Sequence, residues 1–190
     1  KEEKKTVSTV KKPVNMITDF ITGKKIPDVG AETNRQAIEQ FLVNKKGFLK
    51  KDIEVNVNIE LNIEGRIYKS NVDIVVCVDN KKFMAIKCAP GSLGSREREI
   101  LAAARLLDGY QLPLSVVSDG KTATVMDTVS GKKTGQGLNA IPSKNDIKKI
   151  LKSTSFCPLP DKRKAREMLI FRSYDSMNIN VIRDTCERSD

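Results

Sequence analysis

Asp73 and Lys87 are the two residues of this 190-residue chain whose types and surroundings best suit chemistry. Asp73 lies near the start of an otherwise apolar run, VDIVVCV (72–78), where an unpaired buried carboxylate is costly. Lys87 belongs to a second run, FMAIKCA (83–89), two residues after Ala85 and therefore on the same face of an extended strand. An aspartate across from an x-lysine strand, behind an acidic helix, is a layout for metal-assisted phosphodiester hydrolysis. Carboxylates in such a site hold Mg²⁺, which polarises the phosphate and lowers the pKa of a bound water. The lysine orients that water or steadies the developing charge. No histidine is required, and the chain has none. The structural alternative is an ion pair between Asp73 and Lys87, or a lysine that snorkels from a strand end.

Further carboxylates and cations lie nearby in sequence. Glu32 and Glu39 are seven apart, near one line of a helix, where solvation competes with metal binding as an explanation. The segment SRERE (95–99) offers Glu97 and Glu99 as metal ligands on a helix start; its alternating charges also suit a solvated surface. Arg96 and Arg98 follow the Gly/Ser loop GSLGS (91–95) at a helix N-terminus, a place suited to a phosphate. With Lys121, beside the turn at Asp119-Gly120, they form the candidate nucleic-acid contacts.

Composition removes many other chemistries. Without histidine there is no Ser-His-Asp or Cys-His nucleophile and no HExxH zinc site. No GxxxxGK[ST] occurs, so the chain holds no Walker loop and no intact ATP-driven motor. The absence of tryptophan and an aromatic content of 5% leave little for base stacking. The cysteines, Cys77, Cys88, Cys157 and Cys186, form no CxxC pair, which disfavours structural zinc and suits small apolar side chains in a reducing cytosol. A net charge of +10 favours phosphate-rich partners, with duplex DNA the leading one. No signal peptide and no apolar run of about 20 residues is visible, so a cytoplasmic location without a membrane is expected.

These residues need a scaffold. Residues 1–29 read as a basic arm followed by a short helix through Met16, Ile17, Phe20 and Ile21, ended by Gly23. Ala37, Ile38, Phe41 and Leu42 mark a helix over about 31–45, with Gly47 as its stop. From Ile53 to Ile63 every second residue is apolar, the pattern of a half-buried antiparallel strand turned by Glu64-Gly65. Runs 72–78 and 83–89 complete a three-strand meander. A helix follows with Ile100, Leu101, Ala104 and Leu107 buried; then come strands at 114–118 and 123–127, a polar turn through Gly131 and a helical, basic tail. The order α-βββ-α-β-β predicts an α/β sandwich with a mixed central sheet of about five strands, flanked by helices. The core is expected over 30–135, with 136–190 as a helical extension packed on it.

The runs VDIVVCVDNKKFMAIKCAP and LAAARLLDGYQLPLSVVSDGKTATVMDTVSGK resemble the N-terminal nuclease domain of type I restriction enzyme R (motor) subunits, members of the PD-(D/E)xK endonuclease superfamily. ETNRQ (32–36) is similar to the family's acidic-x-x-Arg-Gln helix, Asp73 to its strand aspartate, and SDG (118–120) to its closing Asp-Gly. The resemblance implies a restriction-endonuclease-like fold, Mg²⁺ as cofactor, DNA as substrate and restriction-modification subunits as partners. It also implies catalytic roles for Asp73, Lys87 and Glu32. One departure matters: the glutamate expected two residues before Lys87 is Ala85, and aligning the Ala89-Pro90 pair with the family's own Ala-Pro puts Ile86 and Cys88 in the Glu and Lys places. Some superfamily nucleases carry this glutamate on the following helix, which makes Glu99, with Asp73, the expected metal ligand pair. The chain therefore reads as an endonuclease-like DNA-binding domain, with a catalytically inactive nucleic-acid-binding or partner-binding module as the alternative.

Overall fold

The computed structural model describes residues 15–187; the basic arm over residues 1–12 lies outside them. The chain opens on β1 (Met16–Thr18) and β2 (Lys25–Pro27), which pair antiparallel where the apolar spacing predicts a helix. Asp19 is the reason. Its Oδ1 accepts from the Thr22 backbone N–H at 2.7 Å and from Thr22 Oγ1 at 2.8 Å, and its backbone exchanges bonds with Gly23 and Lys24, so the chain makes one closed turn and comes back as β2 instead of continuing as a helix. The first helix, α1 (Glu32–Lys46), buries Ile38 and Leu42 and ends at Gly47, whose φ of 74° is left-handed.

The meander follows as β3 (Ile53–Ile63), β4 (Arg66–Val78) and β5 (Lys81–Cys88). Its two turns consist of Glu64-Gly65 and Asp79-Asn80, all four residues at positive φ, the backbone that tight hairpins require. A crossover through α2 (Glu97–Leu106) returns β6 (Leu114–Ser118) parallel to β5, and β7 (Ala123–Asp127) pairs antiparallel with β6. One further strand, β8 (Lys133–Gln136), pairs with β7 where the sequence reads as a polar turn. Its residues KTGQ carry no apolar alternation, because an edge strand is held by backbone hydrogen bonds to a single neighbour. The sheet is mixed, with six strands in the order β3-β4-β5-β6-β7-β8, one more than the sequence predicts.

Helices cover both faces. Ile38 and Leu42 of α1 and Ile147 of α3 (Lys144–Leu151) pack over Ile74, Val76, Met84 and Ile86 on one side. On the other, Ile100 and Ala103 of α2 and Phe171 of α4 (Asp161–Glu187) pack over Val75, Ala85 and Val117. The uninterrupted alternation of β3 does not serve one face. Ile53 and Val55 lie under α1, whereas Ile59, Leu61 and Ile63 lie under α2 and α4. β4 makes the same change between Val72 and Ile74. The switch falls at Asn56, whose φ of 52° is left-handed; the ladder pairs Val55 with Ile74 and Val57 with Val72 and omits Asn56 and Asp73 between them. No described helix is long and apolar enough to cross a membrane.

Candidate active site

Asp73 thus stands where the β3–β4 ladder is interrupted, and its carboxylate turns to β5. Oδ2 accepts from the Cys88 backbone N–H at 2.7 Å, and Oδ1 lies 3.6 Å from Lys87 Nζ. Lys87 Nζ is also 3.1 Å from Glu99 Oε1, on the first turn of α2, and Arg96 Nη1 is 3.5 Å from Glu99 Oε2. One ammonium therefore stands between two carboxylates from different elements. Burial pushes the Asp73 carboxyl above the ordinary range, although Lys87 and the Cys88 N–H pull against it. Burial pulls Lys87 down, but Asp73 and Glu99 overcome it and hold the ammonium above the usual lysine range. Lys87 is a cation at any pH near neutral.

Ala85 is fully buried, with Val75 and Ser115 as its strand partners. Its methyl group belongs to the apolar cluster beneath α2, which includes Ile100 and Val117. Glu99 reaches Lys87 from above the sheet. Glu97, the other sequence candidate, pairs with Lys133 at 2.8 Å instead. Among the described residues no three ligating side chains gather as a metal cage. Asp73 and Glu99 are the oxygen donors on either side of Lys87; Mg²⁺ in general uses one or two carboxylates and fills its other positions with waters and phosphate oxygens.

On α1, Arg35 of the ETNRQ segment is the centre of a buried network whose partners Asp19 and Glu39 sequence reasoning missed. Its guanidinium reaches Asp19 Oδ2 and Glu39 Oε1, each at 2.9 Å, and its Nε donates to Glu32 Oε1 at 2.8 Å. Gln36 Nε2 donates to both Asp19 Oδ2 and Glu32 Oε1. Glu32 is therefore held by its own helix, and Glu39, fully buried, points inward rather than into solvent. Burial pushes the Glu39 carboxyl up to about 7 against the pull of Arg35, and its Oε2 makes no hydrogen bond. The sequence signal for this network is the spacing Glu32-Arg35-Gln36-Glu39, three to four residues apart on one helix face.

Glu32, Arg35, Asn56, Asp73, Lys87 and Arg96 line one open cleft of about 300 Å³. The geometry links Asp73, Lys87, Glu99 and Arg96 in one chain of ion pairs, with Glu32 on the cleft wall. Arg98 lies elsewhere, in a separate cavity between α2 and α4. Lys121 is exposed on the β6–β7 turn and lines neither cavity. That turn lies close against α1: a Cβ on Gly120 would come within 3.3 Å of Asn34 and Ala37. Compared with known proteins, residues 30–142, more than half of the chain, match the family model for the type I restriction enzyme R protein N terminus. No curated protein and no solved structure matches.

Proposed function

Because the chain belongs to the type I restriction enzyme R protein N-terminal family, we propose that the cleft between α1, β4, β5 and α2 is a Mg²⁺-dependent site for hydrolysing phosphodiester bonds of duplex DNA. The observation that carries this reading is the position of Lys87 between Asp73 and Glu99, which supplies from α2 the carboxylate that Ala85 lacks. Asp73 and Glu99 would hold Mg²⁺, which when bound polarises a phosphate and lowers the pKa of a bound water. Lys87, kept protonated by its two carboxylates, serves as a cation that orients the attacking water and faces the charge growing on phosphorus oxygens. It is not the base. Arg96 offers a second cation at the mouth of the cleft, steadied by Glu99. Arg35 fixes Glu32, and Asn34 Nδ2 donates to the Ala89 carbonyl at 2.7 Å, so α1 is tied to the end of the strand that carries Lys87.

One observation favours a second reading, a domain that holds DNA without cutting it: no third ligand joins the carboxylate pair among the described residues. Incubating supercoiled plasmid with Mg²⁺ or Mn²⁺ separates the two. Nicking that EDTA stops, and that Asp73→Asn and Glu99→Gln each abolish, supports hydrolysis at this site. Plasmid retarded on a gel yet never nicked with either metal leaves the binding module.

A further inference from the structure

A second cavity, of about 600 Å³, opens on the far side of the α2 start from the carboxylate cleft. Its wall carries Arg98 and Arg105 from α2 and Lys162, Arg163 and Arg166 from α4, five cations against two carboxylates. Both carboxylates are already engaged. Glu97 is paired with Lys133, and Glu167 lies 2.8 Å from Arg105 and 3.6 Å from Arg163. Arg98, Lys162 and Arg166 are exposed and have no ion-pair partner among the described residues. A solvated helix surface places its like charges apart on a convex face; here they converge around a concavity. The Arg105–Glu167 pair, buried and joined to the Thr128 carbonyl, anchors α4 on α2 and so holds the two sources of charge together.

We infer that this α2–α4 cavity receives the sugar–phosphate backbone of duplex DNA beside the scissile site, with Arg98, Lys162 and Arg166 as its phosphate contacts. The inference rests on the proposed action on DNA and adds a surface from α4, a helix beyond the residues that match the family. Charge complementarity identifies the occupant. Unpaired cations in a groove with no aromatic side chain on its wall suit phosphates, not stacked bases. Adjacent residues on the start of α2 link the two cavities, because Arg96 lines the first while Glu97 and Arg98 line the second. A strand whose phosphate sits at Lys87 and Arg96 would need its neighbouring phosphates neutralised next to that start.

The test measures binding of the full chain to a fluorescent duplex by anisotropy over a salt series. The triple variant Arg98→Gln, Lys162→Gln, Arg166→Gln is compared with a control of equal charge, Lys148→Gln, Lys149→Gln, Lys152→Gln, on the opposite face of the sheet. The cavity variant should bind about tenfold or more weakly at moderate salt, and its log–log salt slope should shrink by about 0.9 for each phosphate that is no longer neutralised. Its melting temperature should stay unchanged, because the three side chains are exposed and unpaired, and the control should bind like the unaltered chain. Equal losses in both variants would mean that net charge, not this cavity, holds DNA. Unaltered protein that binds and nicks DNA, with a cavity variant that binds equally well, overturns the inference and leaves the active-site reading standing. Unaltered protein that binds no duplex at low salt overturns both.

Discussion

Asn56 and Asp73 mark the point where two strands exchange faces, and the exchange depends on one left-handed residue. Asparagine tolerates that backbone; a β-branched residue does not. Asn56→Val should therefore cost about 1–3 kcal/mol despite the better strand propensity of valine, whereas Asn58→Val, on ordinary strand backbone, should cost nearly nothing. Urea titrations of the two variants check this, and equal midpoints would show that the backbone at 56 is unstrained. Glu39 provides a second test at the same scale. Between the ordinary value of 4.5 and about 7, folded protein keeps on Glu39 a proton that the unfolded chain releases. Stability should then fall as pH rises through that window, by about 3 kcal/mol at most, and the loss should persist above it. Glu39→Gln cannot ionise, so its urea midpoint should change less between pH 5 and pH 8 than that of the unaltered protein. A pH dependence identical in both would remove Glu39 as its source.

Among the elements, β5 and α2 supply the lysine and the second carboxylate of the proposed site. β5 keeps the lysine and gives Ala85 to the core, while α2 turns Glu99 towards Lys87 and leaves Glu97 on its outer side with Lys133. The arrangement decides between two outcomes for Ala85→Glu. Were position 85 an open ligand site, a glutamate there would tighten Mg²⁺ binding. The pairing of Ala85 with Val75 and its complete burial predict instead a carboxylate forced among apolar side chains, at a cost of about 3 kcal/mol or more. Thermal melts and Mg²⁺ calorimetry on the variant distinguish them. An unchanged melting temperature together with tighter Mg²⁺ binding would mean that the space beneath α2 is a vacant ligand position.

For the whole molecule, the sheet is shared by two apolar layers, α1 with α3 on one face and α2 with α4 on the other. β3 and β4 contribute to both, so neither layer persists without the strands that support the other. Leu42→Ala on the first face and Phe171→Ala on the second should each cost about 2–5 kcal/mol, and each should move one common unfolding transition. Far-ultraviolet circular dichroism and tyrosine fluorescence then give the same midpoint; Tyr68 follows α4 directly, through its edge contact with Phe171 and its hydrogen bond to Asp175. A separate early transition in Phe171→Ala, seen by fluorescence alone, would show that α4 unfolds independently.

Features written in neighbouring residues were legible without a structure. Alternation over 53–63, the turn at Glu64-Gly65, the apolar side of α1 with its Gly47 stop, and the placing of Asp73 against Lys87 all follow from local period and turn chemistry. Contacts between distant residues decided the rest. Asp19 made a hairpin where spacing predicted a helix, and it did so while bound to Arg35. The polar segment KTGQ became β8 because β7 offered it a ladder. Alternation alone also hid the exchange of faces at Asn56, since a period of two is the same whichever layer it addresses. Glu97 and Glu99 are equivalent as letters; only the packing of α2 on β5 turned one to Lys87 and the other to Lys133. A side chain's type limits the chemistry it can perform, but its partner is set by helix rotation and sheet order, which depend on burying the apolar surface of the whole chain at once.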